Sequence, residues 1–342
     1  MIAALLLAAT TVAPAPVPGE LKTFGDWAVA CDNGGRCEAV SLVPADAETG
    51  FDGPLVVTRE AGPDGSLWLN VEVEMTGTGP WRLIAEGREL LSTRMQEEPG
   101  GLASGAAARR VIGRGLANAR TARLVDAKGI EIARFSLAGS AAAFRYMDDR
   151  QGRAGTRGAL VATGPAADSR PAPALPRIRP VTAADGRVPD AATLAKLGMS
   201  GPCAVERDGD GGPGDDAVAV DADAAGRPRA VALIACGNGA YNFSSAVYLL
   251  TLHGGEWRSE PARFDLPSDL YEGLATVVNA DLTNELLELA AYAKGRGLGD
   301  CGVAHNWVWD GAMFRLTNMR RMDECRGSLV WPTVWRADIE GR

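Results

Sequence analysis

Histidine is almost absent from this chain, which has two, His253 and His305, among 342 residues. Catalysis by proton transfer through imidazole therefore has few candidates. His253 precedes Gly254 and Gly255 and is expected in a hairpin turn, which leaves His305 as the better candidate. Neither the Gly-x-Ser-x-Gly pattern of hydrolases nor the His-Glu-x-x-His pattern of zinc proteases occurs. These absences favour a non-catalytic protein over an enzyme.

An excess of basic residues and a long apolar run are also missing. The 43 acidic residues outnumber the 35 lysines and arginines, and the net charge of -8 argues against a nucleic-acid partner or an anionic membrane surface. Residues 2–13, IAALLLAATTVA, are about half the length that a membrane-spanning helix needs and are typical of a signal-peptide core. We expect a periplasmic protein in which residues 1–19 form the signal peptide and a Pro-rich start, with no stable membrane insertion after the leader is removed.

Closely spaced Cys-x-x-Cys pairs are absent, although the chain has six cysteines. A thiol-redox site or a structural zinc site would normally show that spacing. An even number of cysteines in an exported protein indicates structural disulfides. Six thiols allow fifteen pairings, and the low cost of closing short loops favours neighbours within each domain. The predicted bridges are Cys31–Cys37, Cys203–Cys236 and Cys301–Cys325.

Three further features could carry chemistry, and each has a plainer interpretation. A Cys301/His305 nucleophile pair would require a free thiol, which the predicted bridge removes. GLGDCG at 297–302 matches the dinucleotide-binding glycine pattern, but a strand and a turn follow it where a helix is needed. ERDGDGGPGDD at 206–216 could offer calcium ligands, but its spacing departs from the EF-hand and favours an acidic surface loop. Its carboxylates are Asp208, Asp210, Asp215 and Asp216. We predict no metal and no cofactor.

A Pro-rich segment divides the chain. Residues 163–189 contain six prolines and are predicted to form a stiff linker. It separates an N-terminal domain at 20–162, with one cysteine pair, from a C-terminal domain at 190–342, with two. The predicted fold is mainly β with a few short helices (α+β), in two disulfide-stabilised domains. The N-terminal part is expected to be β-sandwich-like and the C-terminal part a β-meander.

Local patterns in the N-terminal part support this fold class. Residues 66–75 alternate between apolar and polar side chains and indicate a half-buried strand. Residues 122–137 contain two β-branched runs around the turn Asp126 to Gly129 and predict a hairpin. Ser140 is a plausible N-cap for a helix over AAAFRYMDDRQ. A second short helix is predicted from Asp190 to Leu197, between Pro189 and Gly198.

The C-terminal part contains strand-sized apolar runs. AVALIAC at 230–236 is one, and residues 245–264 and 304–316 each contain two such runs around a turn, at His253 to Gly255 and at Asp310 to Gly311. Residues 285–295 form another run. Helix is the competing prediction for Asn284 to Ala293.

Several stretches resemble a known family. They are FGDWAVACDNGGRCEAVSL at 24–42, FRYMDDRQGRAGT at 144–156, CGNGAYNFSSAVYLL at 236–250, AKGRGLGDCG at 293–302 and ECRG at 324–327. Together they resemble the bacterial domain-of-unknown-function family 1176, exported proteins of about this length with six cysteines, over nearly the whole mature chain. The first stretch is also similar to the start of the invasion-associated locus B proteins of the periplasm. The resemblance implies export, disulfides and architecture, and it carries no activity.

Two loops and a tryptophan-rich strand are candidate binding sites. Tyr241 and Asn242 follow Cys236 in GAYN, a loop that a disulfide would hold rigid, although a tight turn explains it about as well. Arg296 and Asp300 are charged groups in the constrained glycine-rich loop. Trp307, with Trp309 on the same face of a strand and Trp331 and Trp335 further on, could form an aromatic platform for glycan or peptide. Core packing is the competing interpretation for these rings.

These observations favour a periplasmic binding or envelope-associated protein, whose partner is an unknown envelope component or a small ligand. The alternative is a hydrolase that acts on envelope glycan or peptide through paired carboxylates. A pocket with two carboxyl groups beside exposed tryptophans would favour the hydrolase, whereas dispersed acids and buried tryptophans would favour binding. A third class, thiol redox, predicts a free and accessible cysteine.

Overall fold

The computed structural model shows a mainly β protein with three short α-helices among the residues it describes, as the sequence predicts. It describes residues 15–47, 50–74, 77–94, 101–181, 186–200, 203, 214–283 and 287–341. The predictions for the apolar leader at 2–13 and for most of the acidic loop at 206–216 lie outside these residues. No helix in the described ranges is long and apolar enough to cross a membrane.

The N-terminal part contains two antiparallel sheets. The six strands of the first, in chain order, are β1 (Leu21–Phe24), β2 (Trp27–Cys31), β3 (Cys37–Ser41), β4 (Leu55–Arg59), β5 (Leu67–Val71) and β8 (Gly101–Ser104). The second has the spatial order β10-β9-β6-β7, formed by β6 (Trp81–Ala85), β7 (Arg88–Thr93), β9 (Thr121–Val125) and β10 (Glu131–Ser136). Both sheets contribute to one hydrophobic core, which confirms the sandwich-like packing.

The predicted strand and hairpin are present in this part. In β5, Leu67, Leu69 and Val71 are buried while Trp68 faces outward, because successive side chains of a strand point to opposite faces. β9 and β10 pair as the predicted hairpin. The Asp126 carboxylate holds the turn by accepting hydrogen bonds from the backbone N–H groups of Lys128 and Ile130 at 2.9 and 2.8 Å.

Two α-helices cover this core. The predicted helix is α2 (Ser140–Arg150), but Ser140 is its first helical residue and Gly139, at φ 93°, occupies the N-cap position. The Ser140 hydroxyl donates to the Leu116 carbonyl at 2.9 Å and so fastens the helix to its neighbour. No sequence pattern predicted α1 (Gly105–Arg114) or the 3-10 turn Leu116–Asn118. The sequence of α1 is rich in Ala and Arg and begins with Gly, and it has few large apolar residues to mark a buried helix face.

The C-terminal part also contains two antiparallel sheets. The strands of the first are β12 (Asp216–Ala222), β13 (Pro228–Asn238), β14 (Phe243–His253), β15 (Glu256–Pro261), β16 (Asp269–Tyr271) and β17 (Leu274–Val278). The second is a sequential meander of β18 (Asp281–Thr283), β19 (Glu288–Lys294), β20 (Gly302–Trp309), β21 (Phe314–Met322) and β22 (Thr333–Arg336). The two sheets share a second hydrophobic core.

Two local predictions in this part need correction. The helical alternative for Asn284 to Ala293 is wrong over the described strand β19, because alternate residues such as Leu289 and Ala291 are buried and the strand pairs on both edges. The predicted second helix is α3 (Ala191–Ser200), opened by the Asp190 carboxylate, which accepts from the Thr193 N–H at 2.8 Å. It continues past Gly198, which is buried within the helix.

The Pro-rich segment is fastened to the protein at several points within residues 163–181. Asp168 forms an ion pair with the buried Arg153 at 2.9 Å. Arg177–Ile178 (β11) pairs in parallel with Asp338–Ile339 (β23), so a short strand forms where the prolines had suggested none. Val181 donates its N–H to the Trp309 carbonyl at 2.9 Å.

The N- and C-terminal parts contact each other across the outer face of the first sheet. A mixed apolar cluster joins side chains of β2, β3 and β4 to Ala304, Met322 and Trp331. Around it, the Glu38 carboxylate accepts from the Thr333 N–H at 2.7 Å, and Arg326 forms an ion pair with Asp26. This contact places the Cys301–Cys325 region against the N-terminal part.

Candidate functional site

The two loops predicted as binding sites lie against each other. The Asn242 amide donates to the Lys294 carbonyl at 2.9 Å and accepts from the Lys294 N–H at 3.1 Å. The Tyr241 hydroxyl donates to the Gly295 carbonyl at 3.3 Å. Both side chains therefore brace the end of β19 and the glycine-rich loop that follows it.

Asp300 and Arg296 close that glycine-rich loop. Arg296 Nε donates to the Asp300 carboxylate at 2.7 Å, and the Gly327 N–H donates to the same group at 2.7 Å. The hydrogen bond from Arg296 holds the pKa of Asp300 below its ordinary value. Because the carboxylate is 2% exposed and already has these partners, it is built into the loop. Arg296 keeps an exposed side chain.

Trp307 belongs to the core, and its prediction as an exposed binding contact is corrected. The ring is 0% exposed, and its indole N–H donates to the Leu266 carbonyl at 2.9 Å. Phe264 packs edge-to-face on it, with ring centroids 5.3 Å apart. Trp309 is equally buried. The face that these rings share on β20 points into the core between the two C-terminal sheets.

All six cysteines form the predicted disulfides, Cys31–Cys37, Cys203–Cys236 and Cys301–Cys325, and none is free. The Cys301/His305 nucleophile pair therefore has no thiol. Cys301 is buried, whereas Cys325 is exposed at the surface of a cleft.

That cleft, which we call the His305 cleft, has a volume of about 610 Å³. It lies at one end of the core between the two C-terminal sheets, where the segment from Leu266 to Ser268 faces β19, β20 and β21. The side chains that line it include Leu266, Pro267, Ser268, Ala293, Cys301, Val303, His305, Met319, Arg321, Asp323 and Cys325. The braced backbone at Lys294 and Gly295 forms part of its wall, so the predicted loops border the cleft.

His305 is the buried polar group of this cleft. Its side chain is 3% exposed, and its ring stacks on Trp307 with centroids 4.9 Å apart. Burial lowers the pKa of His305 to about 4, so the imidazole is neutral at pH 7. Its Nδ1 has no hydrogen-bond partner among the residues that the structure describes. An unpaired buried nitrogen is costly, and such groups in proteins usually have a partner.

The charged groups at the cleft balance. Arg321 donates to Asp323 at 2.6 Å, and these two are the charged side chains that line the cleft among the described residues. The Lys294 backbone borders the cleft, but its side chain lies on the other face of β19 from Ala291. The Lys294 ammonium lies 5.8 Å from the centroid of the Tyr292 ring, which stacks on Trp331.

The stretch FRYMDDRQGRAGT at 144–156 has a structural role. The Asp148 carboxylate is 0% exposed and accepts from the backbone N–H groups of Leu160, Val161 and Ala162 at 2.7, 2.9 and 3.1 Å. Arg153 donates to Gln151 and Asp168 at 3.1 and 2.9 Å. These bonds fix the chain that leaves α2 and do not border the His305 cleft. The described residues contain no cluster of three or more His, Cys, Asp or Glu side chains that could hold a metal ion.

The fold and its disulfide bonds define a mainly β protein that is cross-linked by three disulfides. The chain belongs to the family described as "Protein of unknown function (DUF1176)", whose model matches residues 21–338. It is 28% identical over 347 residues to "Uncharacterized protein YpfG" of Escherichia coli (strain K12), with 92% of each chain covered. No solved structure matches the chain. The resemblance of residues 24–42 to the invasion-associated locus B proteins finds no support in these comparisons.

Proposed function

We propose that this protein is a non-catalytic, periplasmic binding protein that holds a small ligand in the His305 cleft. Three disulfides support export, because such bridges persist in oxidising compartments and are rare in the cytosol. The Cys301–Cys325 bridge and the hydrogen bonds of Asn242 keep the walls of the cleft in place. A preformed cleft lowers the ordering cost of binding.

The observation that carries the proposal is an unpartnered buried nitrogen at a partly apolar cleft. An unpaired buried nitrogen such as His305 Nδ1 costs about 1–3 kcal/mol. A ligand that places a hydrogen-bonding group near His305 would satisfy this nitrogen.

The lining also indicates the chemistry of the ligand. Leu266, Pro267 and Met319 offer apolar surface, and the charges of Arg321 and Asp323 balance. A molecule with a short apolar body and one hydroxyl group fits these walls, because a hydroxyl can donate to or accept from a neutral imidazole. A charged head group would lose hydration without gaining an opposite charge and is disfavoured.

The hydrolase alternative is less well supported. Hydrolysis of a glycan by paired carboxylates needs two carboxyl groups roughly 5 to 10 Å apart. The described lining of the His305 cleft has one, Asp323, which is paired with Arg321. Trp307, Trp309 and Trp331 are buried at 0%, 0% and 5% exposure and offer no platform at this site.

Ligand binding is tested with the full mature chain and three probes that share one apolar body: octanoate, octylamine and octan-1-ol. We expect octan-1-ol to raise the midpoint of thermal unfolding and to bind at least ~10-fold more tightly than octanoate or octylamine by calorimetry. Ser268→Trp should fill the cleft and abolish the effect. Ala225→Trp, on the exposed turn between β12 and β13, serves as the matched control and should leave it unchanged. Equal binding to Ser268→Trp and to the unchanged chain would place the ligand elsewhere.

Export is tested separately by mass spectrometry of the protein from the periplasmic fraction of its native host. We expect a processed N-terminus within residues 1–19 and three intact bridges. An unprocessed chain or a free Cys301 would contradict the proposed location and reopen thiol chemistry.

A further inference from the structure

A second groove lies on the N-terminal part and shares no lining residue with the His305 cleft. Its volume is about 650 Å³, and β5, the end of β8 and the start of α1 form its walls. We call it the Trp68 groove. The side chains that matter for its chemistry are Asp64, Ser66, Trp68, Ser104, Arg109 and Arg110.

Trp68 is the only exposed tryptophan of the chain, and all eight tryptophans lie in the described residues. Its side chain is 37% exposed, whereas its neighbours Leu67 and Leu69 are buried on the opposite face of β5. β5 pairs with β4 on one edge and β8 on the other. The indole therefore stands on a strand held on both edges and is not required by the hydrophobic core. An exposed aromatic ring on a rigid element is typical of a contact surface for a ring-shaped ligand.

The groove also presents positive groups that the protein does not neutralise. Arg110 is exposed and forms no hydrogen bond or ion pair with any residue in the described part of the chain. Arg109 donates to the Arg157 carbonyl at 3.3 Å, and its Nε is buried without a partner. Asp64, which also lines the groove, forms no ion pair within the described ranges either.

Further arginines lie behind the groove. Arg59 is 1% exposed, and burial followed by the charges of Arg153 and Arg109 lowers the pKa of Arg59 to about 10. These charges repel one another, although Asp148 and Asp168 offset part of the effect. The lining of the groove itself has two arginines, Arg109 and Arg110, and one acid, Asp64, although the whole chain is acidic.

We propose that the Trp68 groove binds an acidic saccharide. The pyranose ring lies on the Trp68 indole, and the carboxylate of the sugar accepts hydrogen bonds from the guanidinium groups of Arg110 and Arg109. Asp64, Ser66 and Ser104 are acceptors for sugar hydroxyls. The planar guanidinium group of arginine can donate two parallel hydrogen bonds to a carboxylate. The carboxylate of Asp64 would repel a second anionic group of the ligand, but it can accept hydrogen bonds from sugar hydroxyls.

The experiment uses the full mature chain with trigalacturonate, its neutral analogue galactotriose, and inorganic phosphate. We expect calorimetry to show trigalacturonate binding at least ~10-fold tighter than galactotriose, with an affinity that falls as salt is raised. Trp68→Ala should weaken binding ~10-fold, which corresponds to about 1.4 kcal/mol, because the stacked ring contact is lost. Arg110→Gln should weaken it by a similar factor and flatten the salt dependence.

Arg145→Gln is the matched control, because Arg145 is an exposed arginine on α2 without a side-chain partner among the described residues. It should leave binding unchanged. If Trp68→Ala alters the thermal unfolding of the protein, the effect of Arg110→Gln on trigalacturonate binding decides the test. The proposal is overturned if the two trisaccharides bind equally, if neither binds, or if both variants bind like the unchanged chain. If phosphate at an equal concentration displaces trigalacturonate, the groove binds anions in general, and the proposal of a saccharide site is also overturned.

Discussion

At the scale of single residues, His305 couples the stability of the fold to pH. Burial lowers its pKa from an ordinary value of about 6.5 to about 4. Between these two values the unfolded chain binds more protons than the folded one, so stability is lost as pH falls from about 6.5 to about 4. The shift corresponds to a loss of about 3 kcal/mol.

His305→Phe should remove this part of the pH dependence, because the phenyl ring does not titrate and leaves no buried nitrogen unpaired. Guanidinium unfolding of both chains at intervals from pH 7 to pH 4 measures the difference. Parallel stability curves for His305→Phe and the unchanged chain would show that His305 is protonated equally in both states.

Asp148 and Asp149 are adjacent acids with opposite structural roles. Asp148 is buried and accepts three backbone hydrogen bonds, whereas Asp149 is exposed. Asp148→Asn places an amide N–H₂ against backbone donors and should lower the free energy of unfolding by about 3 kcal/mol. Asp149→Asn should change it by less than about 0.5 kcal/mol. Urea unfolding of the two variants checks this, and similar losses would mean that the carboxylate of Asp148 is not what holds the chain at 160–162.

At the scale of elements, disulfides differ in the length of chain they close. Cys203–Cys236 links the region after α3 to β13 across a sequence separation of 33, whereas Cys31–Cys37 spans a separation of 6 within one hairpin. In the chain-entropy model the longer loop contributes about 4 kcal/mol and the shorter about 2 kcal/mol. Both pairs are buried, so the loss of packing is similar.

The double variant Cys203→Ala/Cys236→Ala should therefore unfold at a lower denaturant concentration than Cys31→Ala/Cys37→Ala. Guanidinium unfolding monitored by tryptophan fluorescence compares them with the unchanged chain. The reverse order would mean that strain in the native state or residual structure in the unfolded chain outweighs loop closure.

The elements that sequence patterns predicted are those with a local physical signal. Alternation marks β5, and the Asp126 and Gly255 turns mark their hairpins. α1 lacked such a signal and was missed. The His305 cleft could be predicted only in part. Sequence patterns indicated His305 and the glycine-rich loop as candidate functional residues, but they gave no signal for Ser268 or Met319. These residues come from different strands and loops, and only the pairing of β20 with β19 and β21 and the packing of the two sheets bring them together.

At the scale of the whole molecule, the contact between the two parts decides how the chain unfolds. We propose that residues 20–162 and 190–342 are two domains joined by the Pro-rich segment. Trp331 is 5% exposed, stacks on Tyr292 with centroids 4.8 Å apart, and packs in the cluster that joins the parts. A large apolar interface of this kind couples two domains into one unfolding transition, whereas a weak one lets each unfold at its own temperature.

Trp331→Ala should leave a cavity in that interface, cost about 3–5 kcal/mol, and split a single calorimetric transition into two. Phe135→Leu, within the core of the N-terminal part, is the control: it should lower the transition temperature and keep one peak. If Trp331→Ala also unfolds in one transition, the coupling runs through the polar contacts of Glu38 and Arg326 with the opposite part. The same measurement with octan-1-ol present shows whether filling the His305 cleft, beside this interface, stabilises the C-terminal transition alone, as expected when a ligand contacts only one domain.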